Sequence, residues 1–102
     1  MNNHMNTASP IQVGEVVFIR TVSFYYLGKI EEILTAESGT VCPGLVLSSC
    51  SWVADTKRFG DFLAGKVTDY EVEVYPEGPA FIASGPILDV CRWNNPLPTS
   101  SR

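Results

Sequence analysis

A glycine sits inside the most β-prone run of this chain and limits what that run can build. Gly28 interrupts the apolar, β-branched stretch FYYLGKIEEIL, and Gly85 separates AFIAS from PILDVCRW. A glycine within a strand marks a sharp bend, a bulge or a close backbone approach. A small barrel can curl its sheet only if its long strands bend in this way.

The rest of the pattern fits a curled β scaffold. Residues 15–22 (EVVFIRTV) read as a first strand and 25–35 as a long second strand bent at Gly28, with Ser23 as the turn. A turn at 37–39 leads to a third strand over about 41–53, with LVLSSCSWV at its heart and Leu45 and Leu47 on one side. Residues 55–63 change period: Phe59, Phe62 and Leu63 fall on one helical face. Asp55 is the expected N-cap and Gly65 the stop. Residues 71–75 (EVEVY), 80–84 and 87–93 read as further β segments. The expected domain layout is a flexible arm at 1–12, a barrel at 13–94 and an irregular tail at 95–102.

Composition narrows the function classes. With 102 residues, 45% hydrophobic, the chain fits one domain with its own core. Its net charge of −4 argues against broad phosphate-driven nucleic-acid affinity, which needs a basic face. Of seven basic residues only Lys57 and Arg58 are adjacent. No apolar run reaches the roughly 20 residues that span a bilayer, and MNNHMNTASPIQ lacks the features of a signal peptide. Cys42, Cys50 and Cys91 show no metal-ligand spacing and fit a reducing, cytoplasmic compartment. The lone His4 lies in the arm, so neither a metal site nor a Cys–His nucleophile is expected. Glu31 and Glu32 point to opposite strand faces and do not converge for acid–base work. We expect no catalytic residues, no metal and no cofactor.

Two constellations remain. Trp52, Asp55, Lys57 and Arg58 place an aromatic, a carboxylate and two cations at a strand-to-helix junction. As a ligand-binding edge, Trp52 would stack on a base or partner side chain and Arg58 would pair with phosphate or carboxylate. The architectural reading is that Asp55 caps the helix, Trp52 packs and the cations are solvated. Tyr25 and Tyr26, beside Phe24, point to opposite faces by alternation, so one of them is a candidate for a protomer interface. Asp89, in ILDVCRW, is expected to pair with Arg20 or Arg92.

The segments YYLGKIEEI, LVLSSCSWV and FIASGPILDVCRW together resemble the two signatures of the Sm-like (LSm/Hfq-type) small-barrel superfamily, over residues 14–93. With the insert WVADTKRFGDFL, the chain is also similar to small phage and environmental bacterial proteins of no established activity. The resemblance implies a mostly β fold: a five-stranded, strongly bent antiparallel barrel with one short helix inserted after the third strand. It further implies homo-oligomeric rings of five to seven copies joined edge to edge. Ser48-Ser49 and Ser84 stand where the family's RNA sites carry polar and basic residues, so uridine-rich RNA binding does not carry over residue by residue. The function expected is a ring-forming binding or scaffolding module with single-stranded RNA as one candidate ligand. A phage structural or adaptor ring, in virion or host cytoplasm, and a small enzyme are the alternatives.

Overall fold

The computed structural model describes residues 10–34 and 43–102. The sequence expectations for residues 1–9, for 35 at the end of the second strand, for the turn at 37–39, for the third-strand residues 41 and 42, and for His4 and Cys42 lie outside them.

Among the described residues six strands and one short helix follow in chain order: β1 (Val16–Thr21), β2 (Tyr25–Leu34), β3 (Gly44–Asp55), α1 (Phe59–Leu63), β4 (Glu71–Val74), β5 (Ala80–Ala83) and β6 (Ile87–Arg92). All pairings are antiparallel, and the strand order is β4–β3–β2–β1–β6, with β5 also on β3. The sheet therefore has six strands where five were expected. The twelve-residue β3 is long enough to hold β5 along Gly44–Leu47 and β4 along Ser51–Asp55. Among the described residues the hydrogen-bonded ladder does not close on itself, because β6 pairs with β1 alone.

The sheet curls nonetheless. Ile87 and Val90 of β6 pack against the same cluster as Ala80 and Ile82 of β5, although the two strands lie at opposite ends of the sheet. Val17, Ile19, Ile30, Leu45, Leu47 and Cys50 complete that inner core.

Gly28 is where the curl is made. A Cβ there would lie 3.0 Å from Leu47 Cβ and 3.2 Å from the Ser48 carbonyl oxygen. Leu27 pairs with Ser51 and Lys29 with Ser48, so Ser49 and Cys50 together face the single residue Gly28. This is a β-bulge, and Ser49 takes a left-handed φ of 51° within it. The extra residue resets the side-chain alternation. Leu45, Leu47 and Cys50 enter the inner core, whereas Val53 turns to the opposite face.

That opposite face carries a second core of Phe18, Leu27, Val53, Phe62, Val72 and Trp93. Helix α1 and the C-terminal residues cover it. Phe62 is 1% exposed, with ring centroids of Trp93, Tyr70 and Phe18 at 4.7, 5.2 and 5.4 Å. The helix is shorter than the expected 55–63, because Asp55 stays in β3 and Lys57 adopts a φ of 61° that no helix tolerates. Arg58 is the N-cap residue, without a side-chain cap bond. Gly65 ends the helix as expected, at φ 77°, and donates its N–H to the Phe62 carbonyl at 3.1 Å.

The last residues are tied down. Leu97 packs on the second core. Trp93 Nε1–H donates to the Pro96 carbonyl at 3.3 Å, and Asn95 Nδ2–H to the Leu63 carbonyl at 3.0 Å. Arg102 and Val72 exchange two backbone hydrogen bonds, at 2.7 and 2.9 Å, along the outer edge of β4.

Candidate functional site

Trp52 lies on β3 between Tyr26 of β2 and Glu73 of β4. Its half-buried ring meets Phe24 edge to face, with centroids 5.5 Å apart. Phe24 leads out of the β1–β2 turn, which Thr21 holds. The Thr21 hydroxyl donates to the Phe24 carbonyl at 2.6 Å and accepts the Phe24 N–H at 2.9 Å. Beside them a shallow depression of about 190 Å³ is lined by Phe24, Tyr26, Phe81 and Pro86. Phe24 is 47% exposed and Phe81 57%.

The residues expected to form a ligand edge with Trp52 are arranged differently from the helix-capping picture. Asp55 does not cap α1. Its Oδ1 accepts the Lys57 N–H at 2.8 Å, and its Oδ2 lies 3.4 Å from Lys57 Nζ. This side-chain-to-backbone bond holds Lys57 in its left-handed conformation, which competes with helix initiation. The Lys57 amide, and then its ammonium, hold the Asp55 carboxyl below the usual range. The reciprocal pairing with Asp55, and secondarily Asp69 and Glu71, raise the Lys57 ammonium. The Lys57 charge is thus already matched. Arg58 is exposed and takes part in no ion pair among the described residues. Asp69 and Glu71 act on Lys57, and Glu73 and Glu71 stand opposite Trp52 and Asp55 on β4, so carboxylates outnumber cations along this edge.

Tyr25 and Tyr26 take opposite faces, as alternation requires. Tyr25 packs against the second core, its ring 5.7 Å from Phe18. Tyr26 packs against the inner core from the side of Trp52. Both are half-buried within the protomer. The phenol of Tyr75 is pushed up, first by burial and then by Cys50 and Tyr26, which places it beside the same aromatic group.

Asp89 stands directly opposite Arg20 across β1 and β6. Arg20 Nε donates to both carboxylate oxygens, at 2.9 and 3.0 Å, and Nη2 donates as well. The bidentate pair holds the Asp89 carboxyl below its usual range and serves the β1–β6 seam rather than an open site. The Arg20 guanidinium also lies 5.1 Å from the Phe59 ring, linking α1 to the sheet.

Sequence reasoning missed Phe81 and Leu88. They are 57% and 65% exposed, and they sit on β5 and β6, each of which pairs with a single strand among the described residues. Alternation within AFIA, where Ala80 and Ile82 are buried, was the available signal for an outward Phe81.

Among the described residues no group of three or more His, Cys, Asp and Glu is placed to hold a metal ion. No helix among them is long and apolar enough to cross a membrane. No protein-family model matches this chain, and no curated protein matches it.

Proposed function

We propose that this chain is an Sm-like small barrel that assembles into a homo-oligomeric ring of five to seven copies and acts as a binding or scaffolding module, not as an enzyme. One observation carries the reading. Among the described residues the strands β5 and β6 each pair with a single neighbour, so the curled sheet ends on their outer edges, and each bears a large exposed apolar side chain, Phe81 and Leu88. Unpaired edges are templates for pairing with another chain. Two different edges of one protomer make a head-to-tail contact, which ends in a ring when the rotation closes. The Arg102–Val72 bonds cover the edge of β4 and leave β5 and β6 to the neighbours.

Native mass spectrometry tests this directly. The expected mass is five to seven multiples of 11.2 kDa, falling to a single 11.2 kDa particle in Leu88→Glu. A wild-type chain that stays at 11.2 kDa at every concentration refutes the ring.

The exposed Phe24, the half-buried Trp52 it meets and the exposed Arg58 favour a second reading, single-stranded RNA stacked on these rings. Base stacking on aromatics contributes about 1–3 kcal/mol per base. The surrounding carboxylates oppose phosphate, so this reading ranks below a protein-binding role. Salt-dependent oligonucleotide binding that is lost in Arg58→Ala would support it. No binding at low salt removes it.

A further inference from the structure

Tyr26, Trp52 and Glu73 stand abreast on β2, β3 and β4, because each is paired directly with the next across the sheet. Residues paired in this way point to one face, with Cβ atoms about 4.5–5.5 Å apart. Phe24 meets Trp52 edge to face at 5.5 Å. Tyr75, two residues beyond Glu73, continues the pairing with β3 and lies beside Tyr26. We propose that this row is a docking surface for an arginine-bearing segment of a partner protein, whose guanidinium stacks on the aromatic rings and pairs with the Glu73 carboxylate. The docking surface rests on the binding-module reading above and does not depend on ring assembly.

The rings are open to an occupant. Phe24 is 47% exposed and Tyr75 37%, while Trp52 and Tyr26 are half-buried. The depression of about 190 Å³ extends the same apolar surface from Phe24 and Tyr26 to Phe81 and Pro86. An isolated cation would leave that surface wet. A peptide segment that carries an apolar side chain beside its arginine covers it.

Charge selects among partners. Glu73 is exposed and takes part in no ion pair among the described residues, whose pairs are Arg20–Asp89, Lys57–Asp55 and Arg92–Glu15. Glu71, two residues earlier on β4, adds a further exposed carboxylate. Of the nearby cations, Lys57 is held by Asp55, and Arg58 is the helix N-cap residue, outside the row. A wholly apolar partner would strip water from Glu73 without returning a bond, and a phosphate would meet like charge. A cation gains on both counts, through attraction to the aromatic face and a charge-assisted bond to the carboxylate. Arginine suits the row better than lysine. Its planar, weakly hydrated guanidinium lies flat on a ring while its N–H edge bonds a carboxylate.

The test is an NMR titration of the full chain with acetyl-Leu-Gly-Arg-Gly-amide and with the same peptide carrying citrulline or glutamate in place of arginine. Citrulline keeps the planar shape and loses the charge. The arginine peptide is expected to give saturable shifts centred on Phe24, Tyr26, Trp52, Glu73 and Tyr75, the Trp52 indole N–H included. The citrulline peptide should bind about tenfold more weakly, and the glutamate peptide should give no localised shifts. Glu73→Gln, at an exposed position, should weaken the arginine peptide about fivefold and leave the citrulline peptide unchanged. The proposal is overturned if the arginine peptide shifts nothing in this row, if citrulline or glutamate binds as well, or if Glu73→Gln has no effect. Tighter binding of a short oligouridylate to the same residues also overturns it, and leaves a binding module with a different ligand. Native mass spectrometry of the same samples reports assembly separately, so loss of this site and loss of the ring are told apart.

Discussion

Replacing Phe62 with alanine tests whether the helix and the C-terminal chain truly form the second core. Phe62 is 1% exposed and its ring lies within 5.4 Å, centroid to centroid, of Trp93, Tyr70 and Phe18. Truncating a buried Phe costs about 3–5 kcal/mol from lost transfer energy and the space left behind. Phe62 also lines the depression beside the C-terminal chain, so the surroundings have room to relax into the gap. The lower half of that range, about 3–4 kcal/mol, is expected. A domain of this size has about 5–15 kcal/mol in all. At about 4–8 °C per kcal/mol, Tm should fall by about 12–30 °C. Urea unfolding followed by tryptophan fluorescence is the assay, since Trp93 reports from 4.7 Å away. Phe59→Ala is the internal comparison. Phe59 is 36% exposed, and its loss should cost about 1 kcal/mol, as is usual for a partly solvated side chain. A Phe62→Ala loss below about 1 kcal/mol, or one equal to that of Phe59→Ala, would show that α1 is not docked as described.

Gly28→Ala should destabilise by about 1–2 kcal/mol, because the added methyl meets fully buried Leu47 and a backbone carbonyl, whereas Gly85→Ala, with open space around it, should be neutral or slightly stabilising. Equal effects in urea titrations would contradict the close approach of β2 and β3. Burial pushes the Cys50 thiol up to about 12, so the folded state holds its proton where the unfolded chain loses it near 9. The stabilisation is full below pH 9 and is lost as pH rises toward 12. In a Cys42→Ser background, a thiol reagent at pH 8 should therefore modify Cys91 in the native protein and Cys50 only after unfolding. Modification of both at one rate would refute the burial. Ser51 is fully buried and its hydroxyl has no hydrogen-bond partner among the described residues, so Ser51→Ala should stabilise by about 1 kcal/mol; calorimetry showing a loss would reveal a role for the hydroxyl.

Several features were legible because they depend on a few neighbouring residues. The β character of the chain, the special status of Gly28, the Phe62–Leu63 helical face and the stop at Gly65 all follow from local sterics and periodicity. Pairing of Asp89 with Arg20 or Arg92 was readable from charges in apolar strands, but the choice of Arg20 required the β1–β6 register. At the candidate site, alternation correctly separated Tyr25 from Tyr26. It did not reveal that Lys57 would be neutralised by Asp55 or that acidic residues from β4 would crowd the same edge.

Tertiary structure decided what needs a partner strand to define it. The Ser49–Cys50 bulge exists only against Gly28, and by shifting the alternation one step it sends Val53 to a different core from Leu47. One β3 holds both β4 and β5, so six strands form where the resemblance implied five. A tail with two prolines and no periodicity becomes a structural element because Arg102 finds unpaired backbone groups on Val72, thirty residues away in the chain. The amino-acid order determines which segments extend and which turn, because those preferences are settled within a few bonds. Register, edge coverage and the destination of each apolar face are settled by contacts between segments distant in sequence.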